Sequence, residues 1–179
     1  MIQEALKVLI GNYGEFCRIA ADITFAKTDL KHLDWYNKYP VGITLTMVTF
    51  PEGFVKKSPE AAMVQCMLMK IASEEGWTQD FWDVTHEERQ EYLTNGELLY
   101  IDCVKYAQER LCPVTSEHMC NEIKWYAGKN GIPEGSYEEV LSIVRSGENI
   151  DIGGQRSCDH TYISVAGDTI LLSEMGIWD

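Results

Sequence analysis

The run VGITLTMVTF, residues 41–50, lies between Pro40 and the turn signal Pro51-Glu52-Gly53 and is rich in β-branched side chains. Such side chains suit a pleated, packed surface, and the flanking prolines stop the run at both ends. It reads as a strand, and its backbone N–H and C=O groups need partner strands elsewhere in the chain. The tail supplies two, because HTYISV and DTILL are alternating runs around a tight turn containing Gly167, the pattern of a hairpin. In FCRIAADITFAK, Cys17, Ile19, Ala21, Ile23 and Phe25 alternate with Arg18, Asp22 and Thr24, which favours a strand; Phe16, Ile19, Ala20 and Ile23 also satisfy helical spacing.

Between these ends the punctuation is helical. Residues 2–9 form a short helix closed by Gly11-Asn12-Tyr13-Gly14, and Thr28-Asp29 opens another that runs to Tyr36. Ser58-Pro59-Glu60 gives an N-cap, a first-turn proline and a first-turn acid in order, with Ala62, Val64, Met67, Leu68 and Ile71 expected inside and Gly76 beyond the end. Thr85 and Glu88 make a capping box for a helix ending at Asn95-Gly96, and Leu98 to Leu111, stopped by Cys112-Pro113, is apolar on most faces and reads as a central helix. Thr115 or Ser116 caps a helix to Gly128, and Ser136 with Glu139 opens one that ends at Gly147. The expected fold is a single α+β domain over residues 1–179, with five to six helices packed on a small, mainly antiparallel sheet built from strands near both ends.

Net charge is -13 and is unevenly spread: residues 74–109 hold ten acids against two bases, and residues 134–179 hold nine against two. A field of that sign repels phosphate and anionic lipid and steers basic partners inward. With no apolar stretch of membrane-spanning length, the expectation is a cytoplasmic chain that touches neither membrane nor nucleic acid directly. The six cysteines are widely scattered, and reduced thiols are expected.

The acids concentrate in WTQDFWDVTHEERQEY, residues 77–92, where five carboxylates accompany four aromatics. The capping box and the helix dipole account for Glu87 and Glu88 but not for Asp80, Asp83 or Glu91. On a helix starting near Thr78, Asp83, Glu87 and Glu91 fall on one stripe, which gains nothing for the helix because like charges at that spacing repel. Trp77, Asp80, Trp82, Asp83, Glu87 and Glu91 are therefore the candidate partner-binding residues, set against the plainer reading of a solvated helix face. His86 lacks the second histidine of a zinc-protease helix.

Cys112, His118, Cys120, Cys158 and His160 offer enough soft ligands for zinc, although the paired knuckles usual in structural sites are missing. If a strand begins at Cys158, Cys158 and His160 point to the same face, which gives a histidine-activated thiolate its geometry, although the sequence supplies no third group to orient the imidazole. The helix pair over 116–147 carries two glutamates in the first turn of its second helix, the wrong sign for a DNA groove, and Ile152-Gly153-Gly154-Gln155 lacks a phosphate-loop lysine. The leading expectation is an acidic protein without cofactor or metal that binds a basic protein surface, in its most concrete form a mobile-element inhibitor mimicking nucleic acid against a defence nuclease. A small Cys158/His160 or zinc enzyme and a structural assembly subunit are the alternatives.

Overall fold

The computed structural model describes residues 1–23, 29–36, 41–74, 87, 88, 91, 111–154 and 159–177, with 29–36 and 71–74 described in backbone alone. Its frame is an antiparallel six-stranded sheet in the order β1-β2-β6-β5-β4-β3. These strands are β1 (Asp29–Tyr36), β2 (Val41–Thr49), β3 (Cys112–Pro113), β4 (Glu148–Gly153), β5 (His160–Ala166) and β6 (Thr169–Ile177). Among the described residues the helices are α1 (Ile2–Gly11), α2 (Tyr13–Asp22), α3 (Phe54–Lys57), α4 (Pro59–Glu74), α5 (Ser116–Lys129) and α6 (Glu138–Ser146). The α+β class expected from the sequence is the class observed.

Helices cover both faces of the sheet. On one face Val48, Ile150, Ile152, Ile163, Val165, Ile170 and Leu172 pack with residues of α1, α2 and α4, including Leu6, Phe16, Met63 and Met67. On the other, Ile43, Leu45, Met47, Tyr162, Leu171 and Met175 pack with Met119, Ile123 and Tyr126 of α5 and Val140, Leu141 and Val144 of α6. Because successive strand residues point to opposite faces, Ile170-Leu171-Leu172 must be apolar throughout to serve both layers. In the β5–β6 hairpin Ala166 pairs with Thr169, and the two turn residues begin with Gly167 at φ +61°, a conformation costly for any side chain.

The N-terminal third departs from the sequence reading at two places. Residues 13–22 form helix α2 and not the favoured strand: Phe16, Ile19 and Ala20 are buried at helical spacing, and the Asn12 side chain caps the helix by accepting from the Glu15 N–H at 3.1 Å. Residues 29–36 are strand β1 and not a helix opened by Thr28-Asp29; the strand pairs with β2 over eight register positions, from Asp29 opposite Thr49 to Tyr36 opposite Gly42. A long-range ladder thus overrides a local cap signal. Two further strands escaped prediction. β4 places Glu148–Gly153 in the sheet, and Cys112-Pro113 forms the short strand β3 beside it.

The helices at 59–74 and 116–129 follow the sequence closely. Ala62, Val64, Met67 and Leu68 are buried, and Thr115 caps α5 by accepting from the His118 N–H. The expected capping box at Ser136 is absent. Ser136 lies in a 3₁₀ turn and its hydroxyl donates to the Pro133 carbonyl, so α6 starts at Glu138 without a side-chain cap. The expected helices over 85–95 and 98–111 fall outside the described residues, apart from helical Glu87, Glu88 and Glu91 and from Leu111, which lies just before β3 in no regular element. No helix among the described residues is long and apolar enough to cross a membrane.

Candidate functional site

Within the acidic segment, Glu87, Glu88 and Glu91 sit on helical backbone and are exposed. The four-residue interval puts the Glu87 and Glu91 carboxylates on one side of the helix. Trp77, Asp80, Trp82 and Asp83 lie outside the described residues.

The scattered Cys/His residues are only partly brought together. Cys112 stands opposite Asp151 in the β3–β4 pair, and Asp151 stands opposite Tyr162 in the β4–β5 pair. The His160 ring stacks on Tyr162 with centroids 5.8 Å apart, and His118, from the first turn of α5, meets the same ring edge-on at 6.5 Å. Two histidines thus converge on one buried tyrosine. Burial, reinforced by the nearby Glu122 and Asp151 carboxylates, pushes the Tyr162 hydroxyl well above the ordinary tyrosine range, so it remains a neutral phenol. Among the described residues no three His, Cys, Asp or Glu side chains converge as a metal site would require. Cys158 lies outside the described residues, and His160 is engaged by the tyrosine ring. Cys17, Cys66, Cys112 and Cys120 are free thiols. Burial raises the pKa of Cys66 and of Cys120, the latter against the opposing pull of Arg145 and Lys124, which leaves both in the unreactive protonated form.

Asp151 and Asn149 show why β4 carries polar residues on a covered face. The Asn149 amide donates to the Val144 carbonyl at 2.9 Å and to the Ser116 hydroxyl at 3.1 Å, tying the end of α6 to the start of α5. Asp151 accepts from the Gly153 N–H at 2.7 Å, beside the register shift where β4 bulges.

A buried ion pair lies on the opposite face. Lys70, 1% exposed, reaches from α4 to Glu174 of β6 with 3.1 Å between Nζ and Oε2. Glu174 stands between Thr44 and Thr161 in register, both buried. Thr46 Oγ1, one strand turn away, is buried without a hydrogen-bond partner. The sequence offered one hint of this cluster, a lysine three residues after Met67 on the face that α4 turns inward.

Described residues line at least two concave surfaces. One, about 370 Å³, lies between α2 and the start of α4 and is lined by Val8, Arg18, Ile19, Phe54, Lys57 and Glu60, among others. Its arginine is already bound on its own helix by Glu15 and by Asp22. Another is a depression of about 380 Å³ on α5, lined by Asn121, Glu122, Trp125 and Tyr126. Trp125 is 48% exposed, meets Tyr126 at 4.8 Å and 80°, and carries Lys129 Nζ 5.5 Å from its ring centroid. Sequence reasoning sought an aromatic anchor at Trp77 or Trp82 and passed over Trp125, whose helix otherwise reads as ordinary amphipathic structure. No family model, curated protein or solved structure matches the chain.

Proposed function

We propose that this chain acts by binding a protein with a basic surface, with the acidic helix around Glu87 and Glu91 as the contact. The exposure of Glu87, Glu88 and Glu91 on one short helical stretch is the observation that supports this reading. Glu87 and Glu91, at four-residue spacing, repel each other, whereas a facing array of lysine and arginine would offset that repulsion. The surrounding block of ten acids against two bases extends the same field over residues 74–109. A cytosolic nucleic-acid-processing enzyme presents the largest basic surface of this kind, and an inhibitor occupying its nucleic-acid groove, as a mobile element would deploy against a defence nuclease, is the specific form of the proposal.

The test is capture of partners from native host lysate at about 0.1 M and about 0.5 M salt, since the screening length shrinks across that range. A partner held at low salt, released at high salt, and bound at least about tenfold more weakly by an E87K/E91K double variant supports the assignment. Unchanged affinity in that variant rejects the site.

A further inference from the structure

The depression on α5 has the chemistry of a cation subsite, and we infer that it receives an arginine side chain of the basic partner; this rests on the reading given under Proposed function. Asn121, Glu122, Trp125 and Tyr126 fall within six residues of one helix, so the spacing of three and four residues that stacks side chains along a helix brings the indole, the carboxylate and the amide to a single rim. The indole is nearly half exposed, while Tyr126 beneath it is 6% exposed and closes the floor at right angles. An exposed tryptophan over a buried tyrosine, edged by a carboxylate, offers a cation both a π face and a counter-charge.

The protein's own Lys129 shows that the ring attracts cations. Its ammonium lies 5.5 Å from the Trp125 centroid, one helical turn along from the depression. Alternative occupants fit poorly. An anion would face Glu122 within a chain of net charge -13, and a purely apolar group would bury the Glu122 carboxylate and Asn121 amide without partners. A guanidinium satisfies both demands, since its plane stacks on the indole while its N–H fork donates to carboxylate and amide oxygens. Lysine can serve as a point charge but lacks that fork.

The experiment labels the five tryptophans with 5-fluorotryptophan, assigns the Trp125 signal with a Trp125→Phe variant, and titrates the full chain with the peptide GRGRGRG and its lysine counterpart GKGKGKG. The expected result is a saturable shift of the Trp125 signal that favours the arginine peptide and weakens about tenfold in Glu122→Gln. Lys129→Met should bind a few-fold more tightly, because it removes the competing cation. Both substitutions lie on a solvent-facing helix surface, and thermal midpoints near the parent value verify folding. A Trp125 signal that stays still, or shifts equally in Glu122→Gln, overturns the inference. The E87K/E91K variant separates the two claims. If it loses lysate capture while Trp125 is silent to arginine, the acidic-helix reading stands and this inference falls. If Trp125 still binds the arginine peptide when Glu87 and Glu91 prove irrelevant to capture, the subsite stands and the acidic-helix reading falls.

Discussion

Lys70 of α4 and Glu174 of β6 form an ion pair in the layer between helix and sheet, 3.1 Å apart, with the lysine 1% and the glutamate 17% exposed. Oε2 makes no aligned hydrogen bond despite this proximity, so the contact is Coulombic rather than directional. Burying two charges is costly, and the pair offsets that cost only while both members remain.

Glu174→Gln should therefore destabilise the fold by about 1 to 3 kcal/mol, because it removes the carboxylate charge 3.1 Å from a Lys70 ammonium that is 1% exposed. A Lys70→Met/Glu174→Leu double replacement should recover most of that loss. Urea unfolding midpoints for the singles and the double measure the coupling. A single-variant loss below about 1 kcal/mol would mean that the ammonium is solvated by other groups.

Asp168 should matter more than its place in a hairpin turn suggests. Its carboxylate accepts from the Gly53 N–H at 2.7 Å and the Val55 N–H at 3.2 Å, and its carbonyl accepts from the Phe50 N–H at 2.8 Å. The turn thereby clamps the loop that leads into α3, where Phe50 and Phe54 stack 5.2 Å apart. Asp168→Ala removes two charge-assisted bonds and is expected to cost about 1 to 2 kcal/mol, with Asp168→Asn intermediate because it retains one acceptor. Thermal unfolding with amide exchange at Gly53 and Val55 checks both the size and the location of the effect.

Tyr162 carries an alkaline limit on stability. Its pKa is raised in the folded state, chiefly by burial, so its contribution is complete below the ordinary tyrosine value of about 10 and is lost as pH rises beyond it. Tyr137 shifts in the same direction, again mainly through burial. Unfolding free energy should therefore fall above about pH 10, and Tyr162→Phe should flatten part of that decline. Tyrosinate absorbance followed alongside circular dichroism tests this, since Tyr162 should ionise only as the fold is lost.

The described thiols should react in order of access. Cys112 is exposed on β3, whereas Cys66 is buried and held protonated. Iodoacetamide at neutral pH followed by peptide mass spectrometry should find Cys112 modified early and Cys66 unmodified until denaturant is added. Rapid labelling of Cys66 in the folded protein would contradict the packing of α4.

Elements whose local chemistry agreed with their tertiary setting were legible in the sequence. β2 is β-branched and flanked by proline, the terminal hairpin turns on Gly167, and α4 and α5 begin at recognisable caps. The failures have a common physical origin. In 13–22 the apolar residues satisfy two periodicities, and only packing under α4 decides between them. In 29–36 the Thr28-Asp29 pair looks like a helix start, yet β1 is the terminal strand of the sheet order, where charged residues are well tolerated. In β4 the polar positions Asn149 and Asp151 are buried, and Asn149 bonds to Val144 and Ser116, partners that sequence spacing does not reveal. The acidic run was legible as charge, and the structure adds that Glu87 and Glu91 are exposed on helical backbone. The α5 depression was not, because one exposed tryptophan on an amphipathic helix looks like any other until its neighbours are placed.

The strand order also bears on how this molecule can be made. Among the described residues the sheet's first two strands join its other strands through the β2–β6 ladder, where Thr49 and Thr169, 120 positions apart, face each other with hydroxyls 3.2 Å apart. A ribosome extending the chain must therefore deliver the stretch ending at Ile177 before β2 can acquire its second neighbour. Until then the β-branched run at 41–49 has one open edge. Closing so long a loop slows folding, and that waiting interval is when a chaperone would find its binding segment.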